Sequence, residues 1–105
     1  MTSKITTCLW FKGQAEAAAR FYCGLFPNAK VGRITRYPEG TPMPAGTVMT
    51  VEFDLDGAQF VGLNAGPEFT FSEAVSFQIH CKDQREVDRY WNALIADGGE
   101  ENVCG

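Results

Sequence analysis

One histidine and one mid-strand glutamate have the best claim to chemistry in this chain. His80 is the only side chain whose reference pKa lies near neutrality, which makes it the first candidate for proton transfer. It lies near the end of Ala74–Cys81, AVSFQIHC, where Val75, Phe77, Ile79 and Cys81 alternate with Ser76, Gln78 and His80. A period of two sends the two sets to opposite faces of a strand, so His80 shares its face with Gln78 and Ser76. A lone histidine lacks the base–orienter pairing that catalysis needs, and a structural role is the plainer reading. Glu52 falls in a second alternating run, where Met49, Val51, Phe53 and Leu55 interleave with Thr50, Glu52 and Asp54. A carboxylate in mid-strand must be hydrated, paired or hydrogen-bonded. Acid–base or ligand contact is one use for it; a cross-strand pair with Arg33 or Arg36 is the commoner one. No nucleophile–base pair, phosphate loop or paired-carboxylate motif is visible. The four cysteines, Cys8, Cys23, Cys81 and Cys104, lie far apart without a C-x-x-C, so zinc-site spacing is absent. Three of them sit in apolar patterns and read as reduced, buried, small hydrophobes.

The elements that would position these residues follow from pattern. Val48–Asn64, VMTVEFDLDGAQFVGLN, reads as two strands joined by an Asp56-Gly57 turn. Both central residues of a type I′ turn need φ > 0, which Asp-Gly supplies. Ile5–Phe11 is β-branched and aromatic, hence a strand ended by Gly13. Gln14–Phe26 is alanine-rich and predicts a helix with Ala18, Phe21, Tyr22 and Leu25 on one stripe, stopped by Pro27-Asn28. Lys30–Tyr37 predicts a strand in which Val31 and Ile34 break strict alternation. Pro38–Gly46, with three prolines, is a loop, and Ala65–Glu73 is another, carrying Phe69 and Phe71. Those two aromatics either fold back on a core or line a ligand site. After the Ala74–Cys81 strand, Asp83 and Glu86 form a capping-box pair for a helix to about Ala96. Its stripe is Val87, Tyr90, Trp91 and Leu94, and Gly98-Gly99 closes it.

Composition narrows the class. A chain of 105 residues is one domain by length, with apolar content of 45% sufficient for a modest core. A net charge of −4, with nine basic residues scattered among thirteen acids, argues against nucleic acid as a partner. The longest apolar runs fall short of a bilayer span, and Met1–Lys4 leads straight into a strand pattern without a signal-peptide core. The expectation is a cytoplasmic protein that does not bind membranes.

A shift of 69 residues superimposes two strand–helix units. Arg20 falls on Arg89, Phe21 on Tyr90, Tyr22 on Trp91 and Leu25 on Leu94, while Cys8–Phe11 falls on Phe77–His80. Self-similarity of this kind marks a repeated supersecondary unit. The first copy is strand, helix and three strands; the second stops after its strand and helix. Three strands are owed, so the expectation is a longer natural chain or a partner subunit that covers the sheet edge.

Several blocks carry a family resemblance. They are Gly13-Gln14-Ala15-Glu16-Ala17-Ala18, Phe21-Tyr22, Leu25–Lys30, Val51–Gly57, Leu63–Phe69, Ser76-Phe77-Gln78 and Val87–Trp91. Together, and in this order, they resemble the PhnB-like group of the vicinal oxygen chelate superfamily, many of whose members are labelled 3-demethylubiquinone-9 3-methyltransferase. The resemblance implies an α+β fold of paired βαβββ modules, glyoxalase/bleomycin resistance-like. Residues 1–64 would be the first module, and residues 74–105 the start of a second that lacks its C-terminal strands. Two modules would bend a shared sheet into a hollow, with helices outside. By parity and by the 69-residue shift, Thr7, Leu9, Phe11, Thr50, Glu52, Asp54, Ser76, Gln78 and His80 would face the hollow. The superfamily's metal positions fall near Thr7, Ser76 and Asn64, none a good ligand for a divalent metal, so no metal site is expected. The label's methyl-transfer chemistry lacks a Gly-rich strand–helix turn: Gly13 stands alone and no G-x-G-x-x-G occurs. The resemblance therefore implies a protein, usually homodimeric, that holds a small organic molecule against Thr7, Glu52, Asn64, Ser76, Gln78 and His80, with no defined cofactor. The alternative is a superfamily enzyme of metal-assisted lyase, transferase or dioxygenase type, or the labelled methyltransferase.

Overall fold

The computed structural model describes residues 4–72, 74–96 and 99. Its elements run β1 (Thr7–Phe11), α1 (Ala15–Leu25), β2 (Ala29–Arg36), β3 (Val48–Leu55), β4 (Ala58–Asn64) and α2 (Gln84–Ile95). The fold is α+β. The strands form one mixed sheet in the order β1-β4-β3-β2, with β1 parallel to β4 and the other pairs antiparallel. The chain divides into two compact units, Met1–Phe71 and Ser72–Gly105. The first is a complete βαβββ module; the second holds α2.

The Asp-Gly turn forms as its residue types demand. Asp56 and Gly57 have φ of 51° and 91°, and Leu55 pairs with Ala58 across the turn. Directly opposed residues share a face, so the register maps both sides of the sheet. Phe53 opposes Phe60, and Val51 opposes Gly62. These residues are buried beneath α1, with the Phe53 and Phe60 rings stacked at 5.3 Å. Burying side chains of this size stabilises by roughly 1.5–3 kcal/mol each.

Two bulges tune this face. Val31 opposes Phe53 and Ile34 opposes Val51, so Gly32 and Arg33 together face Glu52. The extra residue explains the broken alternation of β2: both Val31 and Ile34 pack on the core. A second slip, between Thr35/Thr50 and Arg36/Val48, brings Val48 to the core, where sequence parity predicts Met49.

Helix α1 buries a different stripe from the predicted one. Ala15 and Ala19 are fully buried and Cys23 packs beside them, while Phe21 is 39% exposed. The reason is distance. A Cβ on Gly62 would sit 3.0 Å from the Ala15 Cβ, so the helix lies too near the sheet for large side chains at its point of closest approach.

The start of α1 depends on a residue far along the chain. Gln14, at the N-cap, makes no side-chain cap bond. Instead the Ala15 amide donates to Asn64 Oδ1 at 2.9 Å, and Asn64 Nδ2 donates to the Val48 carbonyl at 3.0 Å. The Asn64 carbonyl accepts from the Tyr37 hydroxyl, and the next amide, Ala65, donates to the Phe11 carbonyl. Asn64 is 2% exposed and both ends of its amide are satisfied.

In the second unit α2 starts as predicted. The Glu86 amide donates to Asp83 Oδ1 at 2.9 Å, and Glu86 Oε1 accepts from the Lys82 amide at 3.0 Å. Tyr90 is buried, Trp91 and Leu94 are half-buried, and Val87 is exposed. The helix ends at Ile95, and the expected stop at Gly98 lies outside the described residues. The predicted strand over 74–81 is corrected: its described residues form no strand, and Val75, Phe77 and Ile79 are exposed. Alternation specifies two faces, but a strand also needs a hydrogen-bonding neighbour, and the described part of this unit contains no other strand.

Asn64→Leu removes one acceptor and one donor from buried backbone partners. It is expected to cost about 2–4 kcal/mol in urea unfolding, while Gln14→Ala stays within about 0.5 kcal/mol. Equal losses from the two changes would refute capping from β4.

Candidate functional site

Within the first unit, the sheet face opposite α1 is chemically mixed. Trp10, Leu63, Thr50 and Thr35 oppose one another in a single row across all four strands. The hydroxyls of Thr35 and Thr50 hydrogen-bond to each other. The next row holds Cys8, Val61 and Glu52, and the one after it Gln59, Asp54 and Lys30. Such rows lie two residues apart, roughly 7 Å. Trp10 is fixed at one side: its indole N–H donates to the Gly66 carbonyl at 2.8 Å, and the Phe69 ring meets it edge-on at 4.9 Å. Phe71 contacts Phe11 at 5.4 Å. The Ala65–Phe71 loop thus places an aromatic on each face of edge strand β1, and both rings stay 62% exposed. The open face joins an apolar floor (Trp10, Val61, Leu63) to hydroxyls and one exposed carboxylate, Glu52. That combination suits a small, largely apolar ligand with a few hydrogen-bonding groups.

Glu52 lies on this face, as expected. The expected ion pair does not form: Arg36 Nη1 donates to the Gly46 carbonyl, and among the described residues no salt bridge joins Glu52 to Arg33 or Arg36. The bulge bears on this, because two β2 residues share the stretch opposite Glu52 and one of them is Gly32, where a Cβ would sit 3.6 Å from that of Glu52.

Thr7, Leu9, Phe11 and Asn64 are corrected. Thr7 opposes Phe60, Leu9 opposes Gly62 and Phe11 opposes Asn64, which places all four on the helix-covered face. Because the side-chain period of a strand is two, a one-residue slip in the 69-residue comparison reverses every facing. Asn64 spends its amide on the fold. Cys8 and Trp10 hold the open-face places that were expected for Thr7 and Leu9. Ser76, Gln78 and His80 belong to the second unit, where each is exposed and outside any strand.

The metal-assisted alternative needs a donor set that the described residues do not bring together. Among the described residues no three of His, Cys, Asp and Glu converge. The β1–α1 junction carries only Gly13, at φ 97°, and does not form the Gly-rich nucleotide-binding turn.

Cys8, Cys23 and Cys81 are free, but the reading of them as buried is corrected. Cys8 is exposed, because it lies on the uncovered side of an edge strand, and Cys23 and Cys81 are half-buried. Partial burial, then the Asp54 carboxylate, push the Cys23 thiol above its ordinary pKa. Partial burial, then Glu86, do the same for Cys81. A raised pKa means less thiolate at a given pH, which is the opposite of an activated nucleophile. Cys104 lies outside the described residues.

Fold and face together define a class: a small α+β protein built on the βαβββ module, with helix on one side of its sheet and a mixed surface on the other. The family described as 3-demethylubiquinone-9 3-methyltransferase matches residues 3–105, and the chain belongs to it. A PhnB protein from Bacillus cereus that carries the same methyltransferase name is 37% identical. The similarity covers 88% of this chain and 73% of that one, with a TM-score of 0.78. A protein from Staphylococcus aureus is 29% identical over 94% of this chain and 73% of its own, with a TM-score of 0.49. No curated protein matches. Among the described residues no helix is long and apolar enough to cross a membrane.

Alkylation at mildly alkaline pH, followed by peptide mapping, should modify Cys8 well before Cys23. Raising the pH should speed Cys23 as its thiolate fraction grows. Faster labelling of Cys23 than of Cys8 would contradict the placement of both.

Proposed function

We propose that this PhnB-like protein binds a small organic molecule on the open face of its sheet. The observation that carries the reading is the four-strand row Trp10–Leu63–Thr50–Thr35, with Glu52 one row away and without an ion pair among the described residues. A half-buried Thr–Thr contact and a fixed indole supply a platform, and Glu52 supplies an acceptor that gains most from a ligand N–H or O–H. The second unit, which holds α2, is read as the start of another copy of the module. A homodimer is the assembly that the family resemblance suggests. A cytoplasmic location accords with the composition.

A second reading, catalysis, rests on the family's name. It would have this chain serve methyl transfer or metal-assisted chemistry of the vicinal oxygen chelate kind. The two readings separate cheaply. Stoichiometric zinc, nickel or manganese in purified protein, lost with Glu52→Gln or His80→Gln, would favour the enzyme, as would calorimetric heat with S-adenosylmethionine. Binding is tested by a thermal-shift screen of small aromatic and heterocyclic compounds. Hits should change Trp10 emission in a Trp91→Phe background and weaken about tenfold in Glu52→Gln, as expected for one charge-assisted hydrogen bond. Hits that leave Trp10 emission unmoved would end the open-face assignment.

A further inference from the structure

At the turn end of the β3–β4 hairpin lies a cleft of about 560 Å³. Its volume is in the range of small-molecule sites, roughly 300–1,000 Å³. Its polar lining residues, Lys30, Asp54 and Gln59, form the open-face row two rows from Trp10, and none of them is in the row of Trp10 or that of Glu52. Asp54 is the next open-face residue after Glu52, so the cleft adjoins that platform but is built from other parts.

Its frame is rigid. Asn28, which ends the turn after α1, has φ 50°, and Asp56 in the hairpin turn has φ 51°. The Asp56 amide donates to the Asn28 carbonyl at 3.2 Å, and Asn28 Nδ2 reaches Asp56 Oδ1 at 3.4 Å. Two left-handed turns are thereby latched together. Asparagine and aspartate tolerate this backbone better than other residues with a side chain, so both turns rest on residue types suited to them.

Its chemistry is directional. Lys30 opposes Asp54, and Asp54 opposes Gln59, so the three functional groups lie in one row on one face. No salt bridge joins Lys30 to Asp54 among the described residues. Gln59 Oε1 is buried without a hydrogen-bond partner. An unsatisfied acceptor of this kind is costly. The terminal torsion of glutamine is broad, so the amide can swing to meet a donor that enters the cleft. Phe26, the C-cap of α1, adds an apolar wall. The row thus runs from acceptors (Gln59 Oε1 and the Asp54 carboxylate) to a cation (Lys30), beside a hydrophobic surface.

We propose that this cleft binds a small amino-acid-type zwitterion, with its ammonium on Asp54 and Gln59, its carboxylate on Lys30 and its apolar side chain against Phe26. A lone amine would leave Lys30 unused, and a lone carboxylate would face Asp54.

The test uses the full chain and three probes: leucine, 3-methylbutylamine, which lacks the carboxylate, and 4-methylpentanoate, which lacks the ammonium. Saturation-transfer NMR and calorimetry should detect leucine in the millimolar range, with each truncated probe at least about tenfold weaker. Lys30→Gln, at an exposed position, should weaken leucine about tenfold without altering the melting temperature. Gln59→Leu should abolish binding while the melting temperature stays the same or rises, because the orphaned oxygen is gone. Trp10 emission should not respond to leucine, which separates this site from the platform. Absence of leucine binding at about 20 mM, equal affinity for leucine and 3-methylbutylamine, or unchanged affinity in both variants would each overturn the proposal.

Discussion

The buried side chain of Asn64 is the interaction on which the module depends. A helix that packs flat on a sheet must begin somewhere, and its first amides need acceptors. Here the acceptor comes from the last residue of β4, 49 positions away, through the 2.9 Å bond to the Ala15 amide. The same side chain holds the Val48 carbonyl where β3 begins, and its backbone carbonyl holds Tyr37 just beyond β2. One residue therefore ties the start of α1, the start of β3, the end of β4 and the chain just past β2. Each bond is worth only about 1 kcal/mol net, but breaking them would leave the buried Ala15 amide and the half-buried Val48 carbonyl and Tyr37 hydroxyl unpaired. Gly62, two residues earlier on the same face, completes the arrangement. Its missing side chain lets Ala15 approach near enough for the cap to close.

This coupling explains what sequence reading could reach and what it missed. Local chemistry was legible. The Asp56-Gly57 turn, the Asp83/Glu86 cap and the end of α1 before Pro27-Asn28 each depend on residues that are neighbours in the chain. Facing was less legible because it depends on register. The bulge at Gly32-Arg33 restores Ile34 to the core, and the slip before Val48 displaces Met49, so strict alternation fails at both places. Val31 and Ile34 already carried the clue, since two apolar residues three apart in a strand imply an inserted residue. The helix stripe was misread for a related reason. Hydrophobicity favours Phe21 and Leu25 as the inward face, but close approach to Gly62 selects the smallest side chains, Ala15 and Ala19. Volume decided where greasiness could not.

The candidate site shows the same division. Glu52 was placed on the open face because its own strand alternates cleanly from Thr50 to Leu55. Thr7 was misplaced because its facing was borrowed from residues 69 positions away. Direct reading of β1 against β4 reverses it, and brings forward Trp10, whose indole is held by Gly66 and Phe69. Asn64 illustrates a general hazard. A polar residue at a strand end, at a position where relatives are expected to carry a ligand, is equally a place where the fold needs a buried amide. Its near-complete burial and its two satisfied ends decide for the fold.

The balance of groups on the open face bears on binding against catalysis. Catalysis by proton transfer needs a titratable group matched to a partner and held in place. Glu52 is exposed; Val61 and Cys8 share its row, Gly32 and Arg33 lie across from it in β2, and among the described residues no salt bridge holds it. A binding site asks for less: apolar area, one or two directional contacts and a rigid floor. Trp10, Leu63 and Val61 supply the area, Thr35 and Thr50 are already locked to each other, and the sheet supplies the rigidity. At roughly 25 cal/mol per Å² of apolar surface removed from water, such a floor can hold a small molecule before any chemistry is required of Glu52. Methyl transfer, of which the family name speaks, would ask for a group matched to Glu52; the binding proposed above asks only for a donor on the ligand.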